Sequence, residues 1–186
     1  MNSALILGIE TSGTLCSVAW WRNGTTLLEY NLERRNEHAV LLADLVKKGF
    51  KELGIDPAEA THIALGSGPG SFTGLRIGMS YAKGFCYGHN IPLVSVTNFE
   101  VLSDLVEIPV YPVYTLIEAG KGNYYVGIFK DNKSKLDEHY VCSVSDLENK
   151  ISNTGMVVVH EEISIGYFPE FFNKTVPISN AQDSAS

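Results

Sequence analysis

Thr61-His62-Ile63-Ala64-Leu65-Gly66, followed by Ser67-Gly68-Pro69-Gly70-Ser71-Phe72-Thr73-Gly74 and then by Leu75-Arg76-Ile77-Gly78-Met79-Ser80-Tyr81-Ala82-Lys83-Gly84-Phe85-Cys86-Tyr87-Gly88, reads as a buried strand, a glycine-rich loop and a helix. Gly66, Gly68 and Gly70 alternate through the loop, where backbone without a β-carbon takes positive φ and approaches other groups closely. Pro69 stiffens the turn between them. Ser71 or Thr73 is placed to cap the helix by accepting from a free N–H of its first turn.

The helix carries Gly78 and Gly84 in its interior, each costing about 1 kcal/mol relative to Ala, so some close packing must offset them. On a wheel of about 100° per residue, Gly74, Gly78, Tyr81, Ala82 and Phe85 share one face, Leu75, Met79 and Cys86 flank it, and Ile77 lies beyond Tyr81. Only Arg76, Ser80 and Lys83 form a polar strip. A helix this apolar is expected to be covered on two sides, by its own sheet and by a partner.

The thirteen residues Gly66 to Gly78 closely resemble the signature of the TsaB (YeaZ) family, bacterial proteins of the actin-like ATPase superfamily that act in making the threonylcarbamoyl-adenosine modification of tRNA. A phosphate-loop reading of the same residues is disfavoured. The loop lacks a Gly-Lys-Ser/Thr ending, and its glycine spacing is not that of a dinucleotide fold.

With 186 residues and 45% apolar composition, the chain suits one domain or two small ones. Its net charge is −7, and no basic run exceeds the pairs Arg34-Arg35 and Lys47-Lys48. Phosphate neutralisation dominates affinity for RNA, so tRNA is expected to be met only indirectly. Cys16, Cys86 and Cys142 are scattered among apolar residues and read as buried thiols, with neither a disulfide frame nor a zinc site. The apolar start Ala4 to Ile9 is too short for a signal peptide core and no run reaches the length of a membrane span, so a cytoplasmic location is expected.

Outward from the central stretch, Ala4 to Ile9 reads as a strand buried on both faces, ending in a turn from Glu10 to Thr14. Leu15 to Arg22 and Thr25 to Leu32 form a hairpin about Asn23-Gly24. Residues 37 to 53 form a helix closed by Gly54 and Pro57. Its apolar residues, Leu45 among them, span an arc of about 160°, wider than the ~100° of one packing face. Leu41 and Val40 fall outside that arc, and His38 near the start reads as a surface or capping residue. Gly88 to Pro92 is read as a loop, Leu93 to Val96 as a strand, and a helix capped by Thr97 or Asn98 runs to about Val106. The element order then recurs: strand Val110 to Ile117, a turn from Glu118 to Gly122, strands Tyr124 to Phe129 and Lys135 to Cys142, a helix from Ser145 and a strand from Met156 to His160. Three strands followed by helices and further strands is the order of actin-like and ribonuclease-H-like folds. The expected fold class is therefore α/β: a duplicated ribonuclease-H-like/actin-like ATPase fold, mixed sheets flanked by helices, with subdomains 1–107 and 108–186.

The resemblance carries further implications. In the ATPases of the superfamily the first turn holds a magnesium-binding Asp and donors for phosphate. Glu10, Thr11 and Ser12 stand there, and either bind nucleotide or form a plain hairpin turn. The family's Asp-Ala-Arg segment is Glu118-Ala119-Gly120 here, so its Arg is missing. Family members run on for another helix or two, which implies a second half shortened either naturally or by truncation. The catalytic paralogue family, TsaD, carries two metal-binding histidines four apart on the helix corresponding to 37–53, and no such pair occurs in this chain. The resemblance thus implies an accessory subunit with no catalytic residue, metal or cofactor of its own. ATP, ADP and magnesium would act only at the partner or the interface. The implied partners are a TsaD-like paralogue, a TsaE-like ATPase through the complex, and a second copy when the chain is alone. The partner-facing residues are expected to be Leu41, Leu45, Arg76, Ile77, Gly78 and Tyr81. The competing possibility for these residues is that all face the chain's own sheet. The competing function is an active small-molecule kinase or ATPase of the superfamily.

Overall fold

The computed structural model describes residues 4–33, 38–105, 109, 111–131, 136–151, 155–159 and 176–177. They fall into two units, residues 1–97 and 98–186. Expectations for Arg34-Arg35, the His38 side chain and the chain from 160 to 175 lie outside the described residues.

In the first unit β1 (Leu5–Glu10), β2 (Leu15–Arg22) and β3 (Thr25–Glu33) open a five-stranded sheet in the order β3-β2-β1-β4-β5. β4 (His62–Gly66) and β5 (Leu93–Val96) run parallel to β1, while β1, β2 and β3 pair antiparallel. Asn23 at φ 55 and Gly24 at φ 82 make the β2–β3 turn, the positive dihedrals a type I′ hairpin requires. α1 (His38–Leu53) and α2 (Phe72–His89) pack on one face of the sheet, above Leu5, Leu7, Ile9, Cys16, Val18 and Trp20. β1 is therefore not buried on both faces, because Ile6 and Gly8 on its other face are only half-buried. Trp20 is fully buried, edge-on to Phe50, and its ring lies where a β-carbon at Gly49 would stand. α2 also outruns its expected end. Asn90 takes the left-handed conformation at φ 53 and closes the helix there, its N–H donating to Cys86 O.

The second unit repeats the strand order: β10-β9-β6-β7-β8, with β6 (Val113–Gly120), β7 (Asn123–Phe129) and β8 (Glu138–Ser143) antiparallel, and β9 (Met156–Val159) and β10 (Val176–Pro177) parallel to β6. Here the central strand is buried on both faces. α3 (Asn98–Asp104) sends Phe99 and Leu102 against Val113, Ile117 and Phe129, and α4 (Val144–Lys150) sends Leu147 against Tyr114, Leu116 and Val126. Gly127 leaves room for the Phe99 ring, whose nearest atom would be 2.7 Å from a β-carbon there. This packing of α3 on β6 puts the division at Thr97/Asn98, ten residues before the expected 107/108. The turn expected over Glu118 to Gly122 also contracts to Lys121-Gly122, at φ 55 and 74, because β6 continues through a bulge to Gly120.

Candidate functional site

The C-terminal ends of the parallel strands β1 and β4 bring the Glu10-Thr11-Ser12 turn against the Gly66 to Gly74 loop. Four glycines, each four residues after the last, receive the turn. A β-carbon at Gly66 would overlap the Glu10 carboxylate, and one at Gly74 would overlap Thr11 O. At Gly70 it would stand 2.6 Å from Ser12 O, and at Gly78 2.5 Å from Thr11 Oγ1. Real β-carbons do not sit that near, so Gly70 and Gly74, which face backbone atoms of the turn, admit only glycine while the turn keeps its place, whereas a larger residue at Gly66 or Gly78 would displace the Glu10 or Thr11 side chain.

Hydrogen bonds fasten the contact. Thr11 Oγ1 donates to Gly74 O at 2.8 Å and Ser71 N donates to Ser12 O at 2.7 Å. Ser12 N donates to Glu10 Oε1. Thr11 and Ser12 are 1% and 4% exposed. Of the two candidate caps it is Ser71 that acts, its Oγ accepting from Gly74 N at 3.2 Å. Gly68 takes φ 89, where L side chains are strained, and faces Leu75, while Pro69 follows it in the loop. Phe72 and Thr73 are exposed.

The expected partner-facing residues divide. Arg76 is exposed, its guanidinium 5.4 Å from the centre of the Phe72 ring. Leu41, Ile77 and Tyr81 are half-buried along the core, and burial pushes the Tyr81 phenol pKa up. Leu45 and Gly78 do not belong with them. Leu45 is 6% exposed within the core, and the small size of Gly78 accommodates Thr11 and Leu65 of this chain, not an outside helix. The wide apolar arc of α1 is used up internally by the sheet on one side and by α2 on the other, where Phe50 and Phe85 stack at 6.0 Å.

Two surface aromatics escaped the sequence reading: Phe72, 73% exposed, and Tyr87, 92% exposed. Their positions with Arg76 and Lys83 on one side of the helical wheel were the available signal. Among the described residues no group of three His, Cys, Asp or Glu side chains is placed to hold a metal ion. The three cysteines are buried and free. No described helix is long and apolar enough to cross a membrane.

The architecture is that of an actin-like ATPase fold. A Bacteroides thetaiotaomicron protein described with that fold superposes with a TM-score of 0.51 at 10% identity, covering 94% of this chain and 90% of that one. A Pseudomonas aeruginosa protein described as similar to peptidase YeaZ superposes with a TM-score of 0.71 at 23% identity, covering 84% and 74%. The family model for TsaD, tRNA N6-adenosine threonylcarbamoyltransferase, matches residues 32–176. The tRNA threonylcarbamoyladenosine biosynthesis protein TsaB of Escherichia coli K12 is 35% identical over 98 residues, which cover 53% of this chain and 42% of that protein. The TsaB of Bacillus subtilis 168 is 27% identical over 133 residues, covering 72% and 58%. The chain therefore belongs to the family that the threonylcarbamoyltransferase model describes, in its TsaB (YeaZ) branch. It spans about half the length of the curated relatives it matches.

Proposed function

We propose that the chain is a non-catalytic, cytoplasmic subunit of the bacterial complex that makes N6-threonylcarbamoyladenosine in tRNA, and that it acts by binding and ordering a TsaD-like catalytic paralogue. The names of its relatives place them in that biosynthesis. The observation that carries the non-catalytic reading is the closed contact between the Glu10 turn and the signature loop. A nucleotide-binding turn presents its carboxylate and donors outward, to magnesium and phosphate. Here the Glu10 carboxylate is occupied by Ser12 N and abuts Gly66, and the Thr11 hydroxyl is spent on Gly74 O. These internal contacts support the reading in which ATP, ADP and magnesium act at the partner or the interface. A TsaE-like ATPase joins through the complex, tRNA is met through the partner, and a homodimer forms when the partner is missing.

The test is co-elution of the purified chain with the threonylcarbamoyltransferase paralogue of the same genome, alongside ATP hydrolysis by the chain alone. A stoichiometric complex with no turnover by the isolated chain is expected. Magnesium-dependent hydrolysis by the isolated chain, abolished by Glu10→Ala, would establish instead the small-molecule kinase or ATPase reading.

A further inference from the structure

The chain's single Asn-Gly pair, Asn23-Gly24, forms the tip of the β2–β3 hairpin, and both residues are exposed. An asparagine before glycine is the one most open to attack on its side-chain amide by the next backbone nitrogen, since glycine brings no side chain to hinder the approach. Nothing lies within 4 Å of a β-carbon built on Gly24. The turn nevertheless opposes the attack. Asn23 at φ 55 and Gly24 at φ 82, closed by the pairing of Arg22 with Thr25, make a type I′ turn, whose first central residue has ψ of about 30°. For an L-residue that sets Cβ and the next nitrogen about 150° apart across the Cα–C bond, whereas the five-membered ring formed by the attack needs them nearly eclipsed. Asn23 must therefore leave the turn conformation before the ring can close. Little holds it there. The register shifts between Trp20 and Trp21, leaving Leu27 unpaired, and Trp21 and Leu27 are 38% and 39% exposed. Packing on the core begins only at Trp20 and its partner Leu28. The ion pair of Arg22 with Glu59 at 3.4 Å is a surface contact of a kind that contributes little.

We propose that Asn23-Gly24 is a covalent modification site, at which the side-chain amide is lost to give aspartate or isoaspartate, and that the turn guards it: reaction occurs only while the hairpin tip is open, with the core still folded. Hydroxide takes the Gly24 N–H proton, the nitrogen bonds to Asn23 Cγ, and ammonia leaves with a proton returned by water. Water then opens the resulting succinimide at either of its two carbonyls, giving aspartate by one cleavage and isoaspartate by the other. Water is consumed and ammonia released, with no oxidant or reductant. Isoaspartate routes the main chain through Cβ and so lengthens it by one carbon. A two-residue turn does not accommodate that insertion, so Arg22 and Thr25 no longer pair in register and the tip stays open.

The experiment incubates the full chain in mildly alkaline buffer across a urea series and follows residue 23 by peptide mapping, which reads the mass gain of amide to carboxylate and separates the isoaspartyl peptide by retention. In urea that unfolds the chain, the site is expected to convert at least tenfold, roughly, faster than in the folded chain. Below the unfolding transition the rate is expected to be measurable and level, because opening of the tip exposes too little surface to respond to urea. A rate that is nil without urea, or that climbs in parallel with the unfolding constant, overturns the inference by tying the reaction to global unfolding. Equal rates in the folded and unfolded chain overturn it by showing that the turn gives no protection. An Asn23 that stays intact in unfolding urea overturns the site itself.

Discussion

A β-carbon at Gly78 would stand 2.5 Å from the Thr11 hydroxyl oxygen, across a contact between residues 67 positions apart. The helical position at 78 thus serves the β1–β2 turn. Gly78→Ala gains about 1 kcal/mol of helix propensity but forces the Thr11 side chain off its bond to Gly74 O. The variant is expected to be less stable by about 1–3 kcal/mol in urea unfolding, as overpacked cores are. A Gly78→Ala protein at least as stable as the parent would show that the turn moves freely.

Gly84 gives the opposite sign. It is exposed, and nothing lies within 4 Å of a β-carbon built there. Gly84→Ala is therefore expected to raise stability by about 1 kcal/mol, read in the same urea titration. A loss of stability would mean that this stretch of α2 is covered.

Ile77 and Tyr81 lie half-buried along the core while Arg76 is exposed. Charge at the half-buried positions meets a desolvation cost that charge at Arg76 escapes. Ile77→Glu and Tyr81→Glu are expected to lose about 2 kcal/mol or more, whereas Arg76→Glu unfolds with the parent. Thermal unfolding beside a pull-down of the paralogue separates the cases: unimpaired stability in both Glu variants with selective loss of binding would place Ile77 and Tyr81 at the interface.

Tyr30 donates to Glu52 Oε2 at 2.6 Å, and that hydrogen bond first, then desolvation and the Glu52 charge, push its phenol up to about 12. Because the folded value lies above that of the unfolded chain, the contribution is whole below pH ~10 and is lost as pH rises through about 12. Ultraviolet difference titration of the parent against Tyr30→Phe is expected to show one phenol ionising late. A missing phenol near pH ~10 would mean that the Glu52 bond does not persist in solution.

Much of this was written locally. The hairpin at Asn23-Gly24 and the strand Leu15–Arg22 follow from residues whose backbone preferences act over two or three positions, and the Ser71 cap and the glycine-rich loop are likewise matters of near neighbours. The element order sufficed for the actin-like class. What a helical wheel could not supply was the use of each face, because that depends on groups distant in sequence. The glycines at 66, 70, 74 and 78 face a turn more than fifty residues earlier. Leu45 lies in the core because the sheet and α2 both cover its helix, and the exposed Phe72 and Tyr87 lie beside Arg76 and Lys83 on a helix that is apolar or small over most of its circumference. The burial of β1 on one face and β6 on both was likewise invisible in two similarly apolar strands, since the residues covering them come from other elements. Local propensity specified the pieces of this protein, and long-range packing alone decided which of their surfaces remain for another molecule.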